Sequence, residues 1–153
     1  MPSLARAVPL LIVLALALGA LGCAEPESPE AQVRAVLAQI EAAAEAGDVG
    51  AFDDLISVQY ADAYGHDKRA LADFVRLHVL RHPRGREVLL RVREVQLTGA
   101  SSASVVLHAG FAGAGQSQLH ADAYAVDLDL ALEDDAWRVT WAQWKPAAPA
   151  ELL

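Results

Sequence analysis

The sequence predicts an α+β domain in which three N-terminal helices pack on a curved four-stranded antiparallel sheet, behind a cleaved leader. Three observations carry this. An unbroken apolar run, Leu10 to Cys23, follows a single early cation, Arg6. Between Pro29 and His82 apolar residues recur at helical spacing. Beyond Pro83 the period drops to two and stays there.

The leader comes first. A short cationic start, an apolar stretch and a small-residue exit are the parts of a secretory signal. The run is shorter than the roughly 20 apolar residues a transmembrane helix needs, so residues 1–22 are expected to be removed on export. Residues 24–28 (Ala-Glu-Pro-Glu-Ser) are polar and read as a tether. The folded unit is expected over residues 29–145, with 146–153 as a tail.

Ser28 is a good N-cap, Pro29 suits the first helical position and Glu30 favours the positive helix end. Val33, Val36, Leu37, Ile40, Ala43 and Ala44 then share one face. Gly47 closes this helix as a left-handed C-cap. Asp48 caps a shorter helix with Phe52, Leu55 and Ile56 on one side. Ser57 to His66 breaks the pattern and reads as a connection. Asp67 caps a third helix through His82, with Leu71, Phe74, Val75 and Val79 as its apolar side, stopped by Pro83.

Four strands are expected: Glu87 to Leu97, Ser104 to Phe111, Ala121 to Leu132, and Trp137 to Lys145. In the first the phase slips near Arg93-Glu94, where a bulge would restore pairing. In the third, Tyr124, Val126, Leu128, Leu130 and Leu132 share a face. In the fourth, Trp137, Val139 and Trp141 alternate with Arg138 and Thr140, leaving Trp144 out of phase and exposed. Short links between successive strands imply antiparallel pairing with one buried face. Arg91 and Arg93 are then expected opposite Asp127 and Asp129.

Composition narrows the function. Lys and Arg number 12 against 20 Asp and Glu, a net charge of −8, which gives no reason to expect a nucleic-acid partner. With one cysteine in the chain no internal disulfide can form. Most of the cations fall between Lys68 and Arg93. Such a stretch can meet anionic headgroups, though pairing with acidic neighbours on a solvated face is the plainer reading.

Ala20-Leu21-Gly22-Cys23 resembles the lipobox of bacterial lipoproteins, with Ala20 where that family prefers Leu. The resemblance implies acylation of Cys23 and a membrane anchor, and Ala24 in place of Asp implies the outer membrane, facing the periplasm. Gly47-Asp-Val-Gly-Ala-Phe-Asp-Asp-Leu-Ile56 and the closing Ala136-Trp-Arg-Val-Thr-Trp141 resemble the nuclear transport factor 2-like, or SnoaL-like, superfamily. That resemblance implies a cone of helices and bent sheet enclosing a pocket. It is compatible with isomerases, dehydratases and cyclases as well as with pure binding domains.

The site candidates follow from placement. His120 and Asp122 are in phase with the buried face at the start of the third strand. There they could serve as base and orienter, with Tyr124 as donor, although two solvated groups at a strand end is the plainer reading. Tyr60, Asp62, Tyr64, Phe74, His78 and Trp141 are candidate pocket-lining residues. His78 and His82 have i, i+4 spacing but lack the Glu of a zinc-protease helix, so no metal and no cofactor is expected. The expected function is non-catalytic, binding a small apolar ligand or an envelope protein, with a homodimer through the outer sheet face as a further partner. The alternative is an enzyme moving protons in the cone.

Overall fold

The computed structural model describes residues 27–82, 85–114 and 119–152. The expected signal segment, Cys23 and most of the expected tether lie outside them. Helix α1 spans Pro29–Ala46, α2 Val49–Asp54 and α3 Lys68–Arg81; strands β1 to β5 are Ile56–Asp62, Glu87–Gly99, Ser102–Ala114, Leu119–Glu133 and Ala136–Pro146. A 3-10 turn, Pro149–Leu152, follows.

The helix signals act as expected. The Ser28 hydroxyl accepts from Ala31 N at 3.2 Å, Asp48 from Ala51 N at 3.0 Å and Asp67 from Ala70 N at 2.8 Å. Gly47 takes φ +69° at the C-cap of α1.

The sheet corrects the expected count. It has five strands in the order β1-β5-β4-β3-β2, and β1 runs parallel to β5. The stretch read as a connection contains this fifth strand. Its burial is irregular, with Val58 and Gln59 outward and Tyr60 and Asp62 inward, so no clean alternation marks it. The other pairs are antiparallel. The expected slip in the first predicted strand is present as a register shift between Val92 and Glu94.

Two side-chain placements differ from the sequence reading. In β5 a register shift opposite Asp129/Leu130 makes Thr140 an extra residue, so Val139 faces Leu130 while Trp141 faces Asp129. Trp141 therefore leaves the core face and Trp144, opposite Val126, joins it. The β3 strand stands between β2 and β4. Arg91 accordingly lies across from His108, away from the acidic residues of β4.

The core sits between α1 and the inner sheet face. It is built on Val33 and Leu37 from α1 and on Val105, Leu107, Leu130, Trp137 and Val139 from the sheet. Trp137 Nε1 donates to Gln32 Oε1 at 3.0 Å, tying β5 to α1. Helix α1 also shields the edge of β2: Glu41 accepts from Leu90 N at 2.6 Å and Glu45 from Val88 N at 3.3 Å. These carboxylates occupy amides that an edge strand would otherwise offer to another chain.

One side chain clamps two helix ends. Arg86 donates to the carbonyls of Glu45 at 3.2 Å and Ala46 at 3.0 Å, and to that of His82 at 2.7 Å. A cation here answers the unpaired carbonyls and the negative ends of α1 and α3 together. Any Cβ on Gly47 would come within 2.6 Å of this guanidinium. Arg86→Ala is expected to cost about 2 kcal/mol in urea unfolding, with Arg86→Lys recovering only part of it, because an ammonium lacks the planar fork.

Candidate functional site

The polar candidates fall in three separate places. The first is the mouth of the cone, where the second half of α3 meets the ends of β3 and β4. Helical spacing puts His78 and His82 on the side of α3 facing the sheet, their ring centroids 4.7 Å apart. The inner face of β3 presents Phe111 here, edge-on to His78 at 6.0 Å and to Tyr124 at 6.1 Å. The β3–β4 register sets Tyr124 across from Ala109, Asp122 across from Phe111 and position 120 across from Gly113. The side chain of His120 lies outside the described residues. At Gly113 a Cβ would sit 3.0 Å from His82 Nδ1, so glycine lets the imidazole approach the strand.

Burial holds the His78 pKa below the ordinary imidazole value. The electrostatic influence of His82, Arg86 and Arg81 adds to that, against the opposing pull of the Asp122 carboxylate. His78 is therefore neutral near pH 7. Asp122 is exposed, and among the described residues no hydrogen bond joins His78, Asp122 or Tyr124. Phe111 was not among the sequence candidates. Its spacing from Leu107 and Ala109 on the buried face of β3 is the signal that would have found it.

The second place is the core. Tyr60 is 3% exposed, and its hydroxyl has no hydrogen-bond partner among the described residues. Burial first, and the Asp62 carboxylate second, push its pKa above the usual phenol range. It stays a neutral phenol surrounded by apolar side chains. Tyr60→Phe removes a buried group with nothing to bond, so stability is expected to hold or rise by up to about 1 kcal/mol in chemical unfolding.

The third place is the turn after β1. Asp62 accepts from Tyr64 N at 2.8 Å and His66 N at 2.9 Å, and pairs with His66 Nδ1 at 2.9 Å; its side chain has no exposed surface. Burial raises its pKa, but the two amide bonds and the imidazole outweigh that and leave it lowered. A carboxylate occupied in this way is a poor proton acceptor and a good turn organiser. Tyr64 is half exposed, packs its ring at a tilt against Trp144 with centroids 4.7 Å apart, and donates its hydroxyl to the Trp144 carbonyl.

Two pocket candidates lie elsewhere. Phe74 is 65% exposed, because the inward side of α3 is carried by Leu71, Val75, His78 and Val79. Trp141 is on the outer sheet face. Among the described residues no group of three or more His, Cys, Asp or Glu side chains is arranged to hold a metal ion. A groove of about 560 Å3 lies between α2, β1 and α3, lined by Asp53, Val58, Lys68, Arg69, Asp73 and Arg76. A second of about 420 Å3 lies between the start of α1 and Trp137. Neither is lined by Tyr60, His78, Phe111 or Tyr124.

Comparison with known proteins gives the fold. No family model matches the chain, and no curated protein matches its sequence. Solved structures do. A ketosteroid isomerase-like protein from Erwinia carotovora atroseptica aligns with TM-score 0.66 at 17% identity, over 80% of this chain and 99% of that one. A nuclear transport factor 2-like superfamily protein from Salmonella enterica aligns with TM-score 0.65 at 12% identity, over 76% and 89%. A protein with a cystatin-like fold from Caulobacter vibrioides aligns with TM-score 0.63 at 11% identity, over 78% and 89%. The chain has the nuclear transport factor 2-like cone fold, with a mixed five-stranded sheet and three α-helices among the described residues. That fold serves both ligand-binding proteins and isomerases or dehydratases.

Proposed function

We propose that this chain is a lipid-anchored binding domain of the bacterial envelope, without catalytic activity, that takes a small apolar ligand at the mouth of its cone. The observation that carries this is the separation of the polar candidates. Tyr60 is enclosed in the core, Asp62 is committed to its turn, and the mouth groups are not hydrogen-bonded to one another. What the mouth does offer is two aromatic rings in contact, Phe111 and Tyr124, the first of them also against a neutral imidazole, with one exposed carboxylate. Apolar walls with a few polar groups are the usual make-up of a small-molecule site.

Titration with an apolar fluorescent probe, anilinonaphthalene sulfonate, tests the reading. Saturable binding is expected, with Phe111→Ala and Tyr124→Ala each weakening it about tenfold and Val106→Ala, on the outer face, leaving it unchanged. Binding insensitive to both mouth variants sinks the assignment. Intact mass of the mature amino end tests the anchor. An acylated Cys23 is expected, and an unmodified terminus elsewhere ends that part of the proposal.

One observation favours proton transfer as a second reading. His78 is held neutral within the field of Asp122, which suits a general base. That reading requires turnover of a carbonyl substrate to fall by at least a hundredfold in His78→Ala, with binding retained.

A further inference from the structure

We infer that the outward face of α3 rests on the anionic surface of the membrane to which the chain is tethered. Three residues spaced by three along this helix are exposed although large and apolar: Phe74 at 65%, Leu77 at 45% and Leu80 at 71%. At 100° per residue they form one stripe, turned away from the side that meets the sheet. A row of large exposed apolar side chains on one helix face marks an interaction site.

Charge selects the occupant. Between Asp67 and Arg86 the chain carries six Lys and Arg against two Asp, in a protein whose net charge is −8. Arg76 is paired with Asp73 at 2.6 Å, whereas neither Arg69 nor Arg81 has a carboxylate partner among the described residues. An apolar stripe flanked by arginines, whose stems can lie along it while the guanidinium groups reach outward, fits a headgroup layer. No described helix is long and apolar enough to cross a membrane. The inference rests on the reading that Cys23 is acylated. The five residues from Ala24 to Ser28 span at most about 17 Å, which keeps the domain within reach of the bilayer.

The test uses the full chain produced in bacterial membranes and reconstituted into vesicles of phosphatidylcholine alone or with phosphatidylglycerol. A nitroxide is placed at Leu77→Cys and, as a control on the outer sheet face, at Glu94→Cys. The chain with no added cysteine shows whether Cys23 itself takes label, and intact mass reports its acylation. With phosphatidylglycerol, the label at 77 is expected to gain at least fivefold in oxygen over nickel-chelate accessibility relative to that at 94. Each of Arg69→Glu and Arg81→Glu is expected to weaken this contact about fivefold or more.

A label at 77 that stays in water while Cys23 is acylated overturns the inference and leaves the anchor standing. Immersion at 77 with Cys23 unmodified supports the helix contact and rejects the anchor. A label at 77 shielded equally without vesicles, with broadening between two nitroxides, assigns the stripe to a second copy and overturns the inference.

Discussion

Leu130→Ala is expected to lower unfolding free energy by about 3–4 kcal/mol, the largest single loss a side chain in this domain should produce. Leu130 is 1% exposed. It stands mid-sheet on β4, across from Ala103 on one side and Val139 on the other. Strands on both sides hold the backbone, so it cannot collapse to fill the space, and the lost transfer energy is joined by a cavity term. Urea unfolding followed by tryptophan fluorescence reads it directly, since Trp137 belongs to the same cluster. For a domain of this size the melting temperature should drop by roughly 10 °C. Phe74→Ala, removing a larger side chain from an exposed position, should cost under about 0.5 kcal/mol in the same assay. Equal losses at the two positions would overturn the assignment of inside and outside on α3 and β4.

Asp62→Ala should follow at about 3 kcal/mol. The substitution strips the acceptor from two backbone amides and from the His66 ring, and hydrogen bonds to a charged group are among the stronger kind. The turn it organises places Tyr64 against Trp144, so the end of β5 should loosen with it, visible as faster amide exchange near Trp144. The pH dependence has a definite sign. The folded-state pKa of Asp62 is lowered, so the native state binds this proton less readily than the unfolded chain does. Its stabilising contribution is complete above the ordinary aspartate pKa of about 3.9 and is lost as pH falls through the lower folded value. Asp62→Asn removes that titration. The gap in stability between the native chain and Asp62→Asn should therefore be widest near neutral pH and close below about pH 4. A constant gap across that range would mean the carboxylate's charge is not what holds the turn.

The helices were legible because their signals are local. Ser28, Asp48 and Asp67 bond amides three residues away, and Gly47 supplies a conformation that needs no distant partner. The antiparallel strands were legible for a related reason. Successive strands joined by short turns pair with each other, and alternation along Tyr124 to Leu132 names the buried face. Even the slip near Arg93 was visible, since it breaks the alternation inside one strand.

Position 140 was not legible. Trp137, Val139 and Trp141 alternate without fault, and only the pairing with β4 makes Thr140 the extra residue and turns Trp141 outward. The fifth strand escaped because its partner, β5, lies some eighty residues on, and its irregular pairing leaves no period to read. Arg86 gave no signal either, because the carbonyls it binds belong to the ends of two helices that only the fold brings together.

By itself, then, the sequence determined three capped helices and a sheet with one buried face, because these depend on neighbours a few residues away. The tertiary structure alone decided which polar groups meet. It set Phe111 between His78 and Tyr124, enclosed Tyr60 and spent Asp62 on a turn. Those outcomes depend on strand order and register, which arise from packing between segments too far apart along the chain for any local pattern to record.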